Sequence, residues 1–530
     1  MGHGRKKFIF RLQPFPAIVL FLLAVSLYLP QLVPTIPLNG IRSLLTAALV
    51  FLTVISLYLL RMEPVKSIPW YPWLLSLLFP IYLSFHGFVN GNIGLALFGN
   101  SDRSLGAITY FACSCFFVFG YLLKKAYPDS LVGIFSYIGI FQLIVFATRY
   151  FGQSNDARQG SFFNSNPNSI LTGLILVFLL TWLVEEKLSI QHPVVASAFI
   201  FSFLLLIWIS ALQAIIGFLL TLFMYGFMKL ARKSVITFNS IVTALVVMST
   251  IFIVFCTIAK LPTKEESNGS SWNERLEIYK TSFKIISEDS LFGIGVDHFN
   301  LGYYKWSLLE NVKLVDNAHS IPLQLLSTIG ILGCIVFYWL FFTVLRGSYV
   351  VPSLTSSSIR NSILFYLISG LFGIQNPSVE FIIFLLLGFL ANSNHSKTSK
   401  KLGKRSAELT LVVTVLAGLL FVSFHIYPLI KTSLALSDSS RNLERSTLQI
   451  RQNIEKVYDL GLLNTAGRYS VFINDKDLGL VILQRMKKIS DIDQRTIALA
   501  LVMGEKYDDK NLENLGEQLN TLARIKNENS

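Results

Sequence analysis

Three arginines and one histidine are the residues of this chain best suited to chemistry. Arg103 stands in LFGNSDRSLG, Arg158 in DARQGSFFNSNPNS and Arg275 in SSWNERLEIYKTSFKIISEDSLFGIGVDHF. A guanidinium offers planar, paired donors to phosphate oxygens, so several arginines gathered at one place suit a pyrophosphate. Singly, each has a plain reading as a solvated or headgroup-bound side chain. All three lie beside glycines or a turn at the entrance to an apolar run, and that recurrence favours a shared anion site. His319, in DNAHSIPLQLLSTIGILG, also sits just before an apolar run. Neighbouring cations lower an imidazole's proton affinity and leave it neutral near physiological pH, the state a general base requires. A helix cap or an interfacial residue is the plain alternative.

Weaker candidates surround these four. The exposed amide of Asn166, in the NPN of SFFNSNPNS, could contact a sugar. Pro167 as a turn former and Asn168 as a helix N-cap account for the same motif structurally. Gly293 and Gly295, in FGIG, permit a tight turn or a close approach of backbone to a ligand. Asp297, His298, Asp316 and His319 match no strong metal-ligand spacing, so no metal is expected, and no cofactor.

The elements that must position these residues are membrane helices. Of 530 residues 53% are hydrophobic and 14% charged, where a soluble chain carries about a quarter charged. Apolar windows of about 18 or more residues recur, each able to cross roughly 30 Å of hydrocarbon, and backbone in lipid must satisfy itself as helix. Spans are expected near 15–35, 41–60, 68–86, 104–123, 129–148, 168–184, 193–209, 211–229, 237–259, 321–345, 361–376, 378–392 and 409–429. The first is read as retained rather than as a cleaved signal, because no convincing cleavage site follows it. The cysteines (Cys113, Cys115, Cys256, Cys334) fall inside apolar windows and form neither a disulfide framework nor a zinc spacing.

Basic residues set the orientation. The N-terminus, Arg61 and Lys66, Lys124 and Lys125, Lys229 to Lys233, and SKTSKKLGKR fall on one side, which the positive-inside rule makes cytoplasmic. The net charge of +14 is thereby explained without nucleic acid. The segments 86–103, 149–167 and 260–320 then lie outside, with everything after about 430. Trp272, Leu276, Tyr279, Phe283 and Ile286 recur at helical spacing in the longest outer loop. That helix should lie on the membrane surface or pack on span ends, with Arg275 at the edge of its apolar stripe. No internal repeat stands out, and the last hundred residues read as a small helical appendage.

In order and spacing, RQGSFFNSNPNS, NERLEIYKTSFKIISEDSLFGIGVDHF and DNAHSIPLQLLSTIGILG resemble the signature segments of the O-antigen ligase and O-antigen polymerase superfamily. LFGNSDRSLG is similar to an earlier outer-loop motif of some members. The resemblance covers roughly residues 90–390. Together with the apolar windows it gives an all-α polytopic membrane protein of about 12–13 transmembrane helices, GT-C-like, with a membrane core over 1–430; it leaves unexplained the small helical soluble C-terminal extension expected over 431–530. It implies transfer of a glycan from an undecaprenyl-pyrophosphate-linked donor to an acceptor hydroxyl on a glycan, lipid A-core or protein. The site would face the periplasm of the inner membrane and serve O-antigen or other surface polysaccharide synthesis. By motif, Arg158 and Arg275 would hold the pyrophosphate, His319 would match the essential histidine, and Gly293 and Gly295 the Gly-x-Gly turn. Two departures stand out: His319-Ser320 replaces a frequent His-Asn, and SALQAIIG, with Ala211 and Gln213, replaces a frequent Ser-Arg. Arg103 is a candidate substitute for that missing arginine.

Two further readings stay open on the sequence. A polysaccharide flippase or other transporter would place charged residues along a path within the spans. Here the spans are almost free of charge, Glu380 being the notable case. A non-catalytic assembly protein would use the outer tail to recruit partners. Neither accounts for outer arginines clustered with His319.

Overall fold

A computed structural model describes residues 14–32, 70–90, 93–99, 105–126, 130–151, 164–185, 193–209, 211–230, 271–306, 315, 317–348, 354–391, 427–438, 443–457, 460–489 and 494–518. The expected spans at 41–60 and 237–259 lie outside them, as does that at 409–429 except for its last three residues. The described residues form helices and no strand. Those of the membrane part are α1 (Pro14–Leu32), α2 (Trp70–Val89), α3 (Ile93–Phe98), α4 (Ala107–Ala126), α5 (Ser130–Phe151), α6 (Ser165–Glu185), α7 (Pro193–Ile209) and α8 (Leu212–Leu230). There follow α9 (Ser271–Glu288), α10 (Phe299–Trp306), α11 (Ile321–Ser348), α12 (Leu354–Gly370) and α13 (Pro377–Leu390). Stretches of α4, α5, α6 and α11 are long and apolar enough to cross a membrane, and α1, α2, α7, α8 and α13 carry shorter apolar stretches. The chain is an all-α polytopic membrane protein.

The bundle is built around α6 and α13, whose residues are buried almost throughout. A helix covered on all sides has no polar face to offer, which explains why α13, FIIFLLLGFL after its first turn, is apolar all round. Small residues set how closely helices approach. Gly120 of α4 lies against the backbone of Leu385, and Gly388 of α13 against that of Phe117, so neither position has room for a Cβ. Aromatic stacking fills the remaining space, as between Phe135 and Phe178 at 4.3 Å. Asn376 caps α13 by accepting from the Ser378 N–H at 3.0 Å, with Pro377 opening the helix.

Buried polar side chains pair across the bundle, as hydrocarbon demands. Tyr366 donates to the fully buried Glu380, and Gln375 Nε2 to the Tyr110 hydroxyl at 3.0 Å. Asn361 donates to Thr181 at 3.2 Å, and Lys124 Nζ to the Ala391 carbonyl at the end of α13 at 3.3 Å. The span expected at 361–376 is displaced. α12 begins at Leu354 and stops at Gly370, and 371–376 form a turn that is mostly buried. The polar run TSSSIRNS masked this start; within it Ser357 accepts from Arg360 at 3.0 Å and Ser362 donates to the Ser358 carbonyl at 2.9 Å, without water.

The C-terminal part has its own hydrophobic cluster, distinct from that of the bundle and including Ala435, Ile450, Leu463, Ile482, Met486 and Met503. It comprises α14 (Tyr427–Asp438), α15 (Leu443–Asn453), α16 (Leu460–Phe472), α17 (Lys476–Ile489), α18 (Gln494–Tyr507) and α19 (510–518). These pair as successive hairpins. Asn474, φ 60°, ends α16, and the Asp475 side chain then caps α17 by accepting from Leu478 N–H at 3.0 Å. About 34 residues on, the period of tetratricopeptide-type hairpins, the same turn returns. Asp508 has φ 49°, and Asp509 caps α19 by accepting from Asn511 N–H at 3.0 Å and Leu512 N–H at 3.4 Å. The Lys476 ammonium reaches Asp509 Oδ2 at 2.8 Å across the two turns and holds that carboxyl below its ordinary value. The repeat escaped the sequence reading because little beyond NDKDL and DDKNL recurs in letters. What repeats is turn geometry and spacing.

Candidate active site

The site is organised by α9. Leu276, Ile278, Tyr279 and Ile285 are buried, and all but the first form a small core of their own with Phe299, Tyr303, Ala318 and Leu323. Of the two placements open to this amphipathic helix, the structure has it packed on the end of a span, α11. The Trp272 side chain lies outside the described residues. On the same helix Arg275 is half-buried, and its Nη1 donates to Gln213 Oε1, in the first turn of α8, at 3.5 Å. One turn later the Tyr279 hydroxyl donates to the carbonyl of His319 at 3.3 Å. α9 therefore joins the start of α8 to the turn that carries the histidine.

His319 occupies the left-handed region, φ 52°, where a residue with a Cβ persists only if its surroundings hold it. They do so from three sides. Its N–H donates to Asn317 Oδ1 at 2.7 Å, and Tyr279 holds its carbonyl. The preceding Ala318 N–H donates to Gln324 Oε1 at 2.8 Å. The helix itself begins through Ser320, whose carbonyl accepts from Gln324 N–H at 2.8 Å, with Pro322 in the first turn. His319 thus stands before the N-cap position, and its half-buried imidazole is mounted on a fixed backbone.

The support below this turn is a broken helix. α11 was expected to be one uninterrupted span, but Gly330 has φ 66° and ψ −174° inside it. The backbone groups freed by the break are taken up by the FGIG loop. Ile294 and Gly295 donate to the carbonyls of Ser327 and Thr328 at 3.0 and 2.9 Å. Ile331 and Leu332 donate to the carbonyls of Ser290 and Leu291 at 2.9 and 3.4 Å. From α2, Tyr82 donates to the Ile329 carbonyl at 2.9 Å, and His86 Nε2 to the Phe292 carbonyl at 2.7 Å. Non-helical backbone within a membrane protein is tolerated only when buried and paired in this way. The close approach expected of Gly293 is made to protein: a Cβ there would meet Gly330 N at 2.6 Å. Gly295 backs onto the His298 ring, a Cβ meeting its Nδ1 at 2.6 Å.

The remaining sequence candidates fare as follows. Arg103 and Arg158 lie outside the described residues. Asn166 is in the first turn of α6, half-buried, with its N–H on Asn164 Oδ1 at 2.9 Å. Asn164, rather than Asn168, therefore supplies the cap. Asn168 is inside the helix and buried, accepting from Gln142 Nε2 at 3.4 Å, because Ser165 and Asn166 extend α6 by a turn that Pro167 does not interrupt. Among the described residues no cluster of three or more His, Cys, Asp or Glu could hold a metal. Gln213, Asn317, Tyr279, Tyr82 and His86 were not singled out as site or support residues. Only the isolated glycine of STIGILG could have signalled the break in α11.

Fold and site together define a multi-helix membrane protein with an arginine and a histidine mounted on one helical end. The residues that carry them fall largely in a stretch of recognisable kind: residues 196–338 match the family model described as O-antigen ligase. That match supports the resemblance to the O-antigen ligase and polymerase superfamily and, in general terms, a part in lipid-linked glycan transfer for surface polysaccharide biosynthesis. No curated protein matches it.

Proposed function

We propose that the chain is a membrane glycosyltransferase that moves a glycan from an undecaprenyl-pyrophosphate donor to an acceptor hydroxyl at the periplasmic face of a bacterial inner membrane. The observation that supports this reading is that one helix, α9, carries Arg275 and, one helical turn later, Tyr279, whose hydroxyl holds the His319 turn. In the proposed step the acceptor oxygen attacks the anomeric carbon while the bond from that carbon to the pyrophosphate oxygen breaks. The electron pair leaves with the pyrophosphate, and the acceptor proton passes to the imidazole of His319. Arg275, with Arg158 and Arg103, would stabilise the negative charge that develops on the leaving group, strongly so beside low-dielectric lipid. A single displacement inverts the anomeric carbon. The acceptor is a hydroxyl of a growing glycan, lipid A-core or protein.

A flippase reading gains nothing from Glu380, which is fully buried and held by Tyr366 rather than lining a path. The test is glycan analysis of a deletion strain complemented with parental or His319→Gln protein. Loss of attached glycan in the deletion marks a ligase, and single-repeat products mark a polymerase. General-base loss should lower transfer about 10²- to 10⁴-fold in the glutamine variant at normal membrane abundance. Parental transfer by that variant would reduce His319 to a turn residue.

A further inference from the structure

Two buried amides beside Arg275 and His319 each use one end and leave the other open. Gln213 is 3% exposed; its Oε1 accepts from Arg275, and its Nε2 has no hydrogen-bond partner among the described residues. Asn317 is 1% exposed; its Oδ1 accepts from the His319 N–H, and its Nδ2 likewise has no partner there. Neither orientation is arbitrary. A guanidinium and a backbone N–H can only donate, so each amide must turn its oxygen toward that partner. What is left over in both cases is an NH₂ donor, buried and without an acceptor, an arrangement folded proteins rarely keep without a use.

The two donors are not scattered. Gln213 meets α9 at Arg275, and Asn317 meets the turn that Tyr279 holds, about 6 Å farther along the same helix. We infer that Gln213 and Asn317 are substrate-binding residues, donating neutral hydrogen bonds to the phosphate oxygens of a polyprenyl diphosphate whose charge Arg275 meets. The inference rests on the donor class proposed above. The ligand class follows from the donor set. A guanidinium and two amide NH₂ groups offer donors only, which suits an oxyanion with several acceptor oxygens. A sugar hydroxyl would bring its own proton and find no acceptor in this set.

Isosteric acids provide the test, because each keeps the structural hydrogen bond and replaces the open donor with an anion. Binding of a short-chain polyprenyl diphosphate, and of the polyprenol of equal length, is measured on the full chain in lipid nanodiscs. Parental protein should favour the diphosphate. Gln213→Glu and Asn317→Asp should each weaken that binding by at least about 10-fold, as expected for losing a hydrogen bond to a charged group, while polyprenol binding holds. Gln213→Met and Asn317→Ala remove the donors without adding charge; they should weaken binding in the same direction and stand in if an acid variant fails to fold. A purely structural role predicts parental diphosphate affinity in the uncharged variants, which are therefore read together with the acids, since an acid at position 213 also offsets the charge of Arg275. A carboxylate in place of Gln213 would pair with Arg275, and one in place of Asn317 would still accept from the His319 N–H. Parental diphosphate affinity in the Gln213→Glu and Asn317→Asp proteins would overturn the inference and leave the donor class intact. A parental protein that does not distinguish diphosphate from polyprenol would remove the donor class itself, and the inference with it.

Discussion

Replacing Gly330 by alanine tests whether the break in α11 is what mounts the site. The backbone there, φ 66° and ψ −174°, is a region populated essentially by glycine, and a side chain held in it costs about 1–3 kcal/mol. A Cβ would also collide with the Leu291 backbone, and its neighbours cannot yield separately. Moving the 290–295 loop away strains the hydrogen bonds from Ile294, Gly295, Ile331 and Leu332, each worth about 1 kcal/mol. Closing the helix instead releases the same bonds. Strain and one or two lost bonds together give roughly 2–5 kcal/mol, a large part of a typical stability of about 5–15 kcal/mol. Thermal unfolding of the purified protein in detergent, followed by loss of the monodisperse peak, should occur several degrees lower, and transfer should fall because Arg275 and His319 share this support. Gly226→Ala is the internal control, since a Cβ there meets nothing within 4 Å. It should be neutral, or stabilise by about 0.5–1 kcal/mol. If Gly330→Ala melts with the parent, the loop is not bracing the helix and the reasoning fails.

Arg275→Lys keeps charge but loses the planar fork; glycan transfer should collapse while membrane abundance stays normal, and full transfer by the lysine protein would take Arg275 out of the anion site. A cysteine at Ser270 should react with an impermeant reagent from the outer face and one at Ser399 should not; the reverse labelling would invert the orientation and relocate the site. The C-terminal hairpins, produced as 427–530, should fold alone with a cooperative helical melt, because their hydrophobic cluster is separate from that of the bundle. An unfolded fragment would show that they depend on the membrane part.

What the sequence made legible was set by how local each signal is. The apolar windows gave the helices directly, because a span must satisfy its backbone within itself. The α9 stripe was readable from spacing, and Arg275 and His319 from residue type and place. Gly330 was not, because a lone glycine in an apolar run costs little to overlook, and only its φ and the partners from 290–295 distinguish a break from a tolerated helix position. Asn317 was invisible, and Gln213 visible only as part of a departure from the family pattern, for another reason. An amide is chemically informative only when one end is committed, and both commitments are long-range contacts or a turn that no pattern announces. The start of α12 was misplaced because serine and arginine count against a span in any hydropathy reading, although within the bundle Arg360 bonds Ser357 and Ser362 bonds the Ser358 carbonyl.

The distribution of buried polar groups separates scaffold from site. Around the break, the donors from the loop, from α11 and from α2 each have an acceptor in the protein. That region loses nothing by staying closed, and it behaves as a rigid mount. At the other end of α9 the pattern changes: amide oxygens are spent on Arg275 and on the His319 turn, while amide nitrogens stay open. A protein that only needed to hold this turn could have used a threonine or aspartate, which would cap it without stranding a donor. Keeping amides at both positions makes sense where a ligand supplies the missing acceptors. It also ties binding to catalytic geometry. On the proposed reading, a phosphate that engaged Asn317 would stiffen the backbone of His319 through the same side chain, so that donor binding and placement of the base would be one event rather than two.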